Sequence, residues 1–217
     1  MAFQAGLYWI IDPLCGWSYG ALPLLNRMAQ DFPLQQFILP GGLFVGSQRR
    51  RLDADWLAHV HEHDARIATL TGMPFGGEYR DNLLASADLL LDSLPSTRGL
   101  LAAQCFVQNG ADLRFLNAIQ TAWYRDGRDI TRPEIVNEVL RLTAGDGLVL
   151  EQIPDHEALS AIQYGRMLMA QMGGQGFPSA AIITQDGECR LQPVGKYYGN
   201  PEAFFAMVQP QLIQAIQ

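Results

Sequence analysis

The sequence predicts a mixed α/β fold, a small sheet with helices packed on it, interrupted by a large all-helical insertion. Three observations predict it. Two short apolar runs near the start bracket a stretch of helical spacing. Apolar residues then recur at helical spacing almost without a break from about residue 52 to about 173. Strand patterning returns only after Gly173-Gly174. The resulting order is β, α, β, helical block, β, β, α.

Each element follows from its residues. GLYWIID (6–12) is apolar and aromatic and is closed by Asp12-Pro13, which suits a buried strand. Helical spacing at Leu22, Leu25, Met28, Ala29 and Phe32 predicts a helix over 19–32, with Cys15 at or just before its first turn. Pro23 inside it removes a backbone donor and predicts a kink. LQQFILP (34–40) reads as a second strand, ended by Pro40-Gly41-Gly42. In the insertion, breaks near Gly72 to Gly77, Pro95, Asn109-Gly110, Asp126-Gly127 and Gly145 to Gly147 divide the pattern into five or six helices. Thr131 before Pro133 and Glu134 predicts an N-cap, and Asp155 starts another helix. SAAIIT (179–184), a turn at Gln185-Asp186-Gly187 suited to type I′, and ECRLQPVG (188–195) form a hairpin. A last helix runs from Pro201 to about Ala215, capped by Asn200.

The bulk properties exclude several function classes. The chain has 217 residues, 15 Lys and Arg against 22 Asp and Glu, and a net charge of -7. Its basic residues cluster only at Arg49, Arg50 and Arg51, so nucleic acid is not an expected partner. No stretch reaches the ~18 apolar residues of a membrane helix, and the first residues lack a secretory signal pattern, so a cytoplasmic protein is expected. Three scattered cysteines, Cys15, Cys105 and Cys189, suit a reducing compartment. The residues carry no signal of an oligomeric state.

The chemistry concentrates in DPLCGWSYG (12–20). A thiol reacts as thiolate, and a helix N-terminus stabilises negative charge. A fall of about one to two pKa units at Cys15 would leave roughly a quarter to three quarters of it ionised at pH 7. Gly16 admits a neighbouring chain and Trp17 offers an apolar face. Far downstream, Gly173-Gly174-Gln175-Gly176-Phe177-Pro178 leads into a strand, a place where a cis X-Pro bond is tolerated. Such a loop exposes the Phe177 backbone, with which glutathione or an extended peptide could pair as an added strand.

Asp12-Pro13-x-Cys15-x-Trp17-x-Tyr19-Gly20 followed by Gly176-Phe177-Pro178-Ser179 resembles the DsbA-like branch of the thioredoxin superfamily, in particular its FrnE-like, disulfide-isomerase members. LDSLPSTRGLLAA (91–103), FLNAIQTAWYRDGRDIT (115–131) and Pro23 are similar to the family as well. The resemblance implies a thioredoxin-like α/β fold from residues 1–47 and 174–217, with residues 48–173 as an inserted helical domain. It implies a thiol-disulfide oxidoreductase or isomerase with Cys15 and Ser18 catalytic, and Gly16, Trp17, Phe177 and Pro178 binding substrate. The family motif is Cys-x-x-Cys, and Ser18 departs from it.

A serine cannot resolve a mixed disulfide, so a monothiol cycle is expected, in which an outside thiol such as glutathione releases the adduct from Cys15. Ser18 can hydrogen-bond the thiolate. Protein or peptide thiols and disulfides, or glutathione, are the expected partners. No bound cofactor and no metal are expected. Two alternatives stay open. One is a glutathione-dependent transferase or isomerase of the kappa-class or hydroxychromene-carboxylate-isomerase kind, whose motif carries serine where Cys15 stands. The other is a non-catalytic peptide-binding module.

Other features read more plainly. His59, His61 and His63 are expected on a solvated helix face, with a zinc site as the sharper reading. Met167, Met169 and Met172 could line a peptide groove but suit core positions. Arg49 to Arg51 read as a surface run, with a glutathione carboxylate as the alternative partner. Cys105, in LLAAQCFV, reads as a buried helix residue, and neither it nor Cys189 is given a role. Gly41-Gly42, after the second strand, resembles a feature that the family carries near its active face, with a structural role as the plainer reading.

Overall fold

The computed structural model describes residues 4–106 and 110–217. A four-stranded sheet has the order β2-β1-β3-β4, with β1 Gly6–Ile11, β2 Gln36–Pro40, β3 Ser179–Ile183 and β4 Cys189–Gln192. β1 runs parallel to β2 (Leu7 opposite Gln36) and antiparallel to β3 (Leu7 opposite Ile182), and β4 pairs antiparallel with β3. Every residue of β1 and β3 is buried, as strands covered on both faces require, which is why their sequences are apolar runs without alternation.

Successive side chains of β1 point to opposite faces, and each face has its own core. Leu7, Trp9 and Ile11 pack with Leu24, Leu25 and Met28 of α2 (Leu22–Asp31) and with Phe204, Val208 and Leu212 of α8 (Pro201–Ile216). Tyr8 and Ile10 pack with Leu168 of α7 (Asp155–Gln171) and with Met172, which caps its C-terminus. Between β2 and β3 in the chain lie α3 (Ala54–Thr71), α4 (Leu94–Phe106), α5 (Ala111–Tyr124), α6 (Pro133–Ala144) and α7. Leu100, Phe115, Leu116, Ile119, Val136 and Leu140 of α4 to α6 extend the first core without interruption.

Several elements differ from expectation for local reasons. The predicted kinked helix is two helices, α1 (Gly16–Gly20) and α2, joined at Ala21; Pro23 falls in the first turn of α2, where its missing N–H has no partner to lose. Pro95 likewise opens α4 and is not a break. The cap before Pro133 is Arg132, one residue after Thr131, whose hydroxyl bonds Asp129 instead. The hairpin loop has three residues: Thr184 and Glu188 close it, Gly187 N–H donates to the Thr184 carbonyl, and Gly187 has φ 85°. That is the pattern of a turn followed by a left-handed glycine, not of a two-residue type I′ turn. Of the predicted break at Asn109-Gly110, Asn109 lies outside the described residues and Gly110 caps α5.

Candidate active site

Cys15 is the N-cap of α1, at the junction the sequence predicts. The loop before it is pinned by Asp12, which is fully buried. Its carboxylate accepts from Leu14 N (2.8 Å), the Ser93 hydroxyl (3.0 Å) and Leu43 N (2.6 Å), joining the β1–α1 loop, the segment after β2 and the start of α4. Burial raises the Asp12 carboxyl, and these three donors offset the rise only in part.

α1 rests on α3 through a face without side chains. A Cβ on Gly16 would lie 2.9 Å from Asp64 Oδ1 and 3.1 Å from Ile67, so glycine is what lets α3 approach this closely beside the thiol. Trp17 is clamped: its indole N–H donates to His63 Nδ1 (3.0 Å), its carbonyl accepts from the Tyr198 hydroxyl (2.9 Å), and its ring tilts against Tyr198. Ser18 is buried and its Oγ accepts from Asp12 N (3.2 Å).

The loop before β3 comes to the other side of Cys15. The Phe177-Pro178 bond is cis, and Cys15 Sγ donates to the Phe177 carbonyl at 3.4 Å, across 162 residues of sequence. The Phe177 ring lies over Gly41, where a Cβ would sit 2.1 Å from it. Gly41-Gly42 is therefore the floor of this loop, and Arg166 of α7 holds both carbonyls. Gly41→Ala is expected to push the Phe177 ring aside, lowering stability by about 1–3 kcal/mol and slowing modification of Cys15. Chemical denaturation and the rate of adduct formation by mass spectrometry check the two effects.

The thiol itself departs from expectation. Burial pushes Cys15 up to about 11, the nearby Asp12 charge adds to the rise, and the N–H groups of Ser18 and Trp17 with the Ser18 hydroxyl only partly offset it. The physical reason is plain in the structure. Cys15 is 9% exposed, and a helix of five residues has too little aligned dipole to offset the lost solvation. In the resting site Cys15 is a protonated thiol.

Beside it opens a cavity of about 230 Å³ between α1, α3 and α5. Its walls are aliphatic and aromatic: Leu14, Phe44, Val60, Ile67, Trp123 and Tyr124 among them. One carboxylate enters it. Asp64, 5% exposed, is raised to about 7 by burial, and its Oδ2 accepts from the Tyr79 hydroxyl at 2.8 Å.

The structure thus brings Cys15, Gly16, Trp17, Ser18, Phe177 and Pro178 together. Other candidates fall elsewhere. His59 and His63 sit at the cavity rim instead of on a wholly solvated face, and among the described residues no three metal-ligating side chains converge. Arg49 pairs with Asp92 (3.0 Å), Arg50 lies over Trp56, and Arg51 bonds the Ala87 carbonyl, so the run is spent on local contacts. Met167 is exposed, while Met169 and Met172 pack into the second core. Cys105 is exposed, contrary to expectation, because it lies on the outer face of the last turn of α4. Nothing in the sequence singles out Tyr79, Asp64 or Tyr198. They lie on separate elements in ordinary polar or aromatic patterns, and only the fold brings them to the thiol.

No family model matches the chain, and no curated protein matches it. Solved structures do. The cytosolic disulfide reductase DsbM from Pseudomonas aeruginosa is 33% identical with a TM-score of 0.85, covering 97% of this chain and 100% of that one. Its structure with GSH gives 32% and 0.84 over 96% and 99%. A candidate protein disulfide isomerase from Nitrosomonas europaea shares the fold at 24% identity and a TM-score of 0.76, over 98% and 99%. A 2-hydroxychromene-2-carboxylate isomerase shares it more distantly, at 16% and 0.51, over 96% and 95%.

Proposed function

The chain belongs to the DsbA-like disulfide oxidoreductases of the thioredoxin superfamily, and from that premise we propose that it is a glutathione-dependent disulfide reductase working by a monothiol cycle at Cys15. The observation that carries this reading is the approach of Cys15 Sγ to the Phe177 carbonyl, 3.4 Å away, at a helix turn whose fourth position is Ser18. A thiol and a strand-like backbone are in place, and a second, resolving thiol is not.

Each step balances. The Cys15 sulfur attacks the glutathione sulfur of a mixed disulfide between glutathione and a substrate thiol. The substrate sulfur leaves as thiolate and takes up a proton. A second glutathione thiolate attacks the glutathione sulfur held on Cys15, glutathione disulfide departs, and Cys15 returns to its thiol. The net change reduces the substrate to a free thiol and oxidises glutathione.

Phe177 and Pro178 would hold the glutathione backbone as an added strand, while Trp17 and Gly16 shape the contact. Ser18 would hydrogen-bond the Cys15 sulfur as charge develops. Burial suits the intermediate: it disfavours the charged thiolate and not the neutral mixed disulfide. The 33% identical relative is described as cytosolic and was solved with GSH, and both descriptions support a glutathione partner and a cytoplasmic setting here. No helix of the described residues is long and apolar enough to cross a membrane.

The test is incubation of the protein with glutathione disulfide, followed by mass spectrometry of the intact chain and its peptides. The expected result is one glutathione on Cys15, released by added glutathione. Modification confined to Cys105 and Cys189 would refute the reading.

A further inference from the structure

The cavity beside Cys15 carries a feature that the exchange cycle leaves unused. Asp64 is buried in an apolar wall, its Oδ2 takes the Tyr79 hydroxyl, and among the described residues nothing donates to its Oδ1, which lies against the backbone of Gly16, next to Cys15. That oxygen keeps some accessible surface on the cavity side, so a guest with a hydroxyl can take the place water has there.

The surroundings define what could. Phe44, Trp56, Tyr79, Trp123 and Tyr124 supply five aromatic walls, and Trp17 stands at the entrance. Face and edge contacts with so many rings favour an aromatic guest. The volume, about 230 Å³, exceeds the roughly 150 Å³ known to admit one benzene ring and leaves space for a short substituent within the walls.

The polar end of the guest follows from Asp64. A hydroxyl can donate to the ionised carboxylate and can accept from the protonated one, so it satisfies Oδ1 in either state. An ammonium group would have to be stripped of water for a single carboxylate among apolar walls.

We infer that this cavity is a specificity pocket for a single hydroxylated aromatic ring, with its hydroxyl on Asp64 Oδ1 and its sulfur-bearing end toward Cys15. Its use as a substrate pocket rests on the monothiol reading: glutathione lies along Phe177 with its sulfur against Cys15, and the hydroxyaryl sulfur, which leaves as thiolate, lies beyond the glutathione sulfur in line with the attack. The substrate class is then a mixed disulfide of glutathione with a compact hydroxyaryl thiol.

Calorimetric titration of the whole protein with p-cresol and with toluene separates the pocket from the chemistry, because neither probe reacts. p-Cresol is expected to bind at least tenfold tighter than toluene, the range for a hydrogen bond to a charged group. In the paired variant Asp64→Leu, Tyr79→Phe, which removes both polar partners together, the two probes should bind alike. Val60→Trp, which fills the cavity, should abolish both. Equal affinities in the wild-type protein, or p-cresol binding that survives Val60→Trp, would overturn the inference without need of a folded paired variant. Turnover of the hydrophilic mixed disulfide of glutathione with 2-mercaptoethanol reads the exchange cycle separately. Its absence alongside p-cresol binding would sink the cycle and leave the pocket standing.

Discussion

Cys15→Ser is expected to lower glutathione-dependent reduction of a mixed disulfide by at least about a thousandfold, because Cys15 is the thiol that meets the Phe177 carbonyl and a serine hydroxyl does not form the covalent intermediate. A coupled assay of glutathione disulfide production measures it. Conjugation of an electrophile to glutathione that survives the substitution would instead favour a transferase. The wild-type protein carries a second signature. With Cys15 pushed up to about 11, its thiolate fraction climbs about tenfold per pH unit from 7 to 10, so alkylation of Cys15 by iodoacetamide should climb in step. A plateau between pH 7 and 9 would contradict a buried, protonated thiol. The same shift has a sign for stability. The folded state holds the Cys15 proton more tightly than the unfolded chain, so this group's contribution is complete below about 9 and is lost as the pH climbs toward 11.

The second large effect falls on the fold. Asp12→Ala removes the acceptor for three donors at once, leaving Leu14 N, Leu43 N and the Ser93 hydroxyl unpaired in a closed interior. At about 1–3 kcal/mol for each buried group left unsatisfied, discounted for relaxation, the loss should reach roughly 3–5 kcal/mol. Denaturant midpoints measure it. Asp12→Asn keeps an acceptor and should recover part of the loss. A change below about 1 kcal/mol for Asp12→Ala would show that the three donors find water or other partners, and that Asp12 does not tie β1, the loop after β2 and α4 together.

How far the molecule could be read from its residues depends on how local each signal is. The strands 6–12 and 179–184 announced themselves as apolar runs, and the helices by spacing and by Gly72 or Asn200 at their ends. Prolines misled twice, at Pro23 and Pro95, because a proline in a first turn and a proline in a helix middle look alike until the helix start is known. The same holds at the site. Cys15, Ser18 and Phe177-Pro178 sit in short, recognisable stretches. Asp64 and Tyr79 do not, for α3 alone gives no sign that one of its carboxylates faces a cavity wall. Nor could the direction of the thiol shift be read: the helix start is local and visible, while the burial that outweighs it comes from α3, α5 and the loop at 177, distant in sequence.

That burial also decides which sulfur meets damage first. Oxidants in solution, peroxide above all, react with thiolate at an accessible sulfur. Cys15 is protonated and enclosed, whereas Cys105 stands on the protein surface. In air or peroxide the protein should therefore scar at Cys105 while the candidate nucleophile stays reduced. Cys15 meets a small oxidant as the protonated thiol, the slow-reacting form, even where its cavity admits the oxidant.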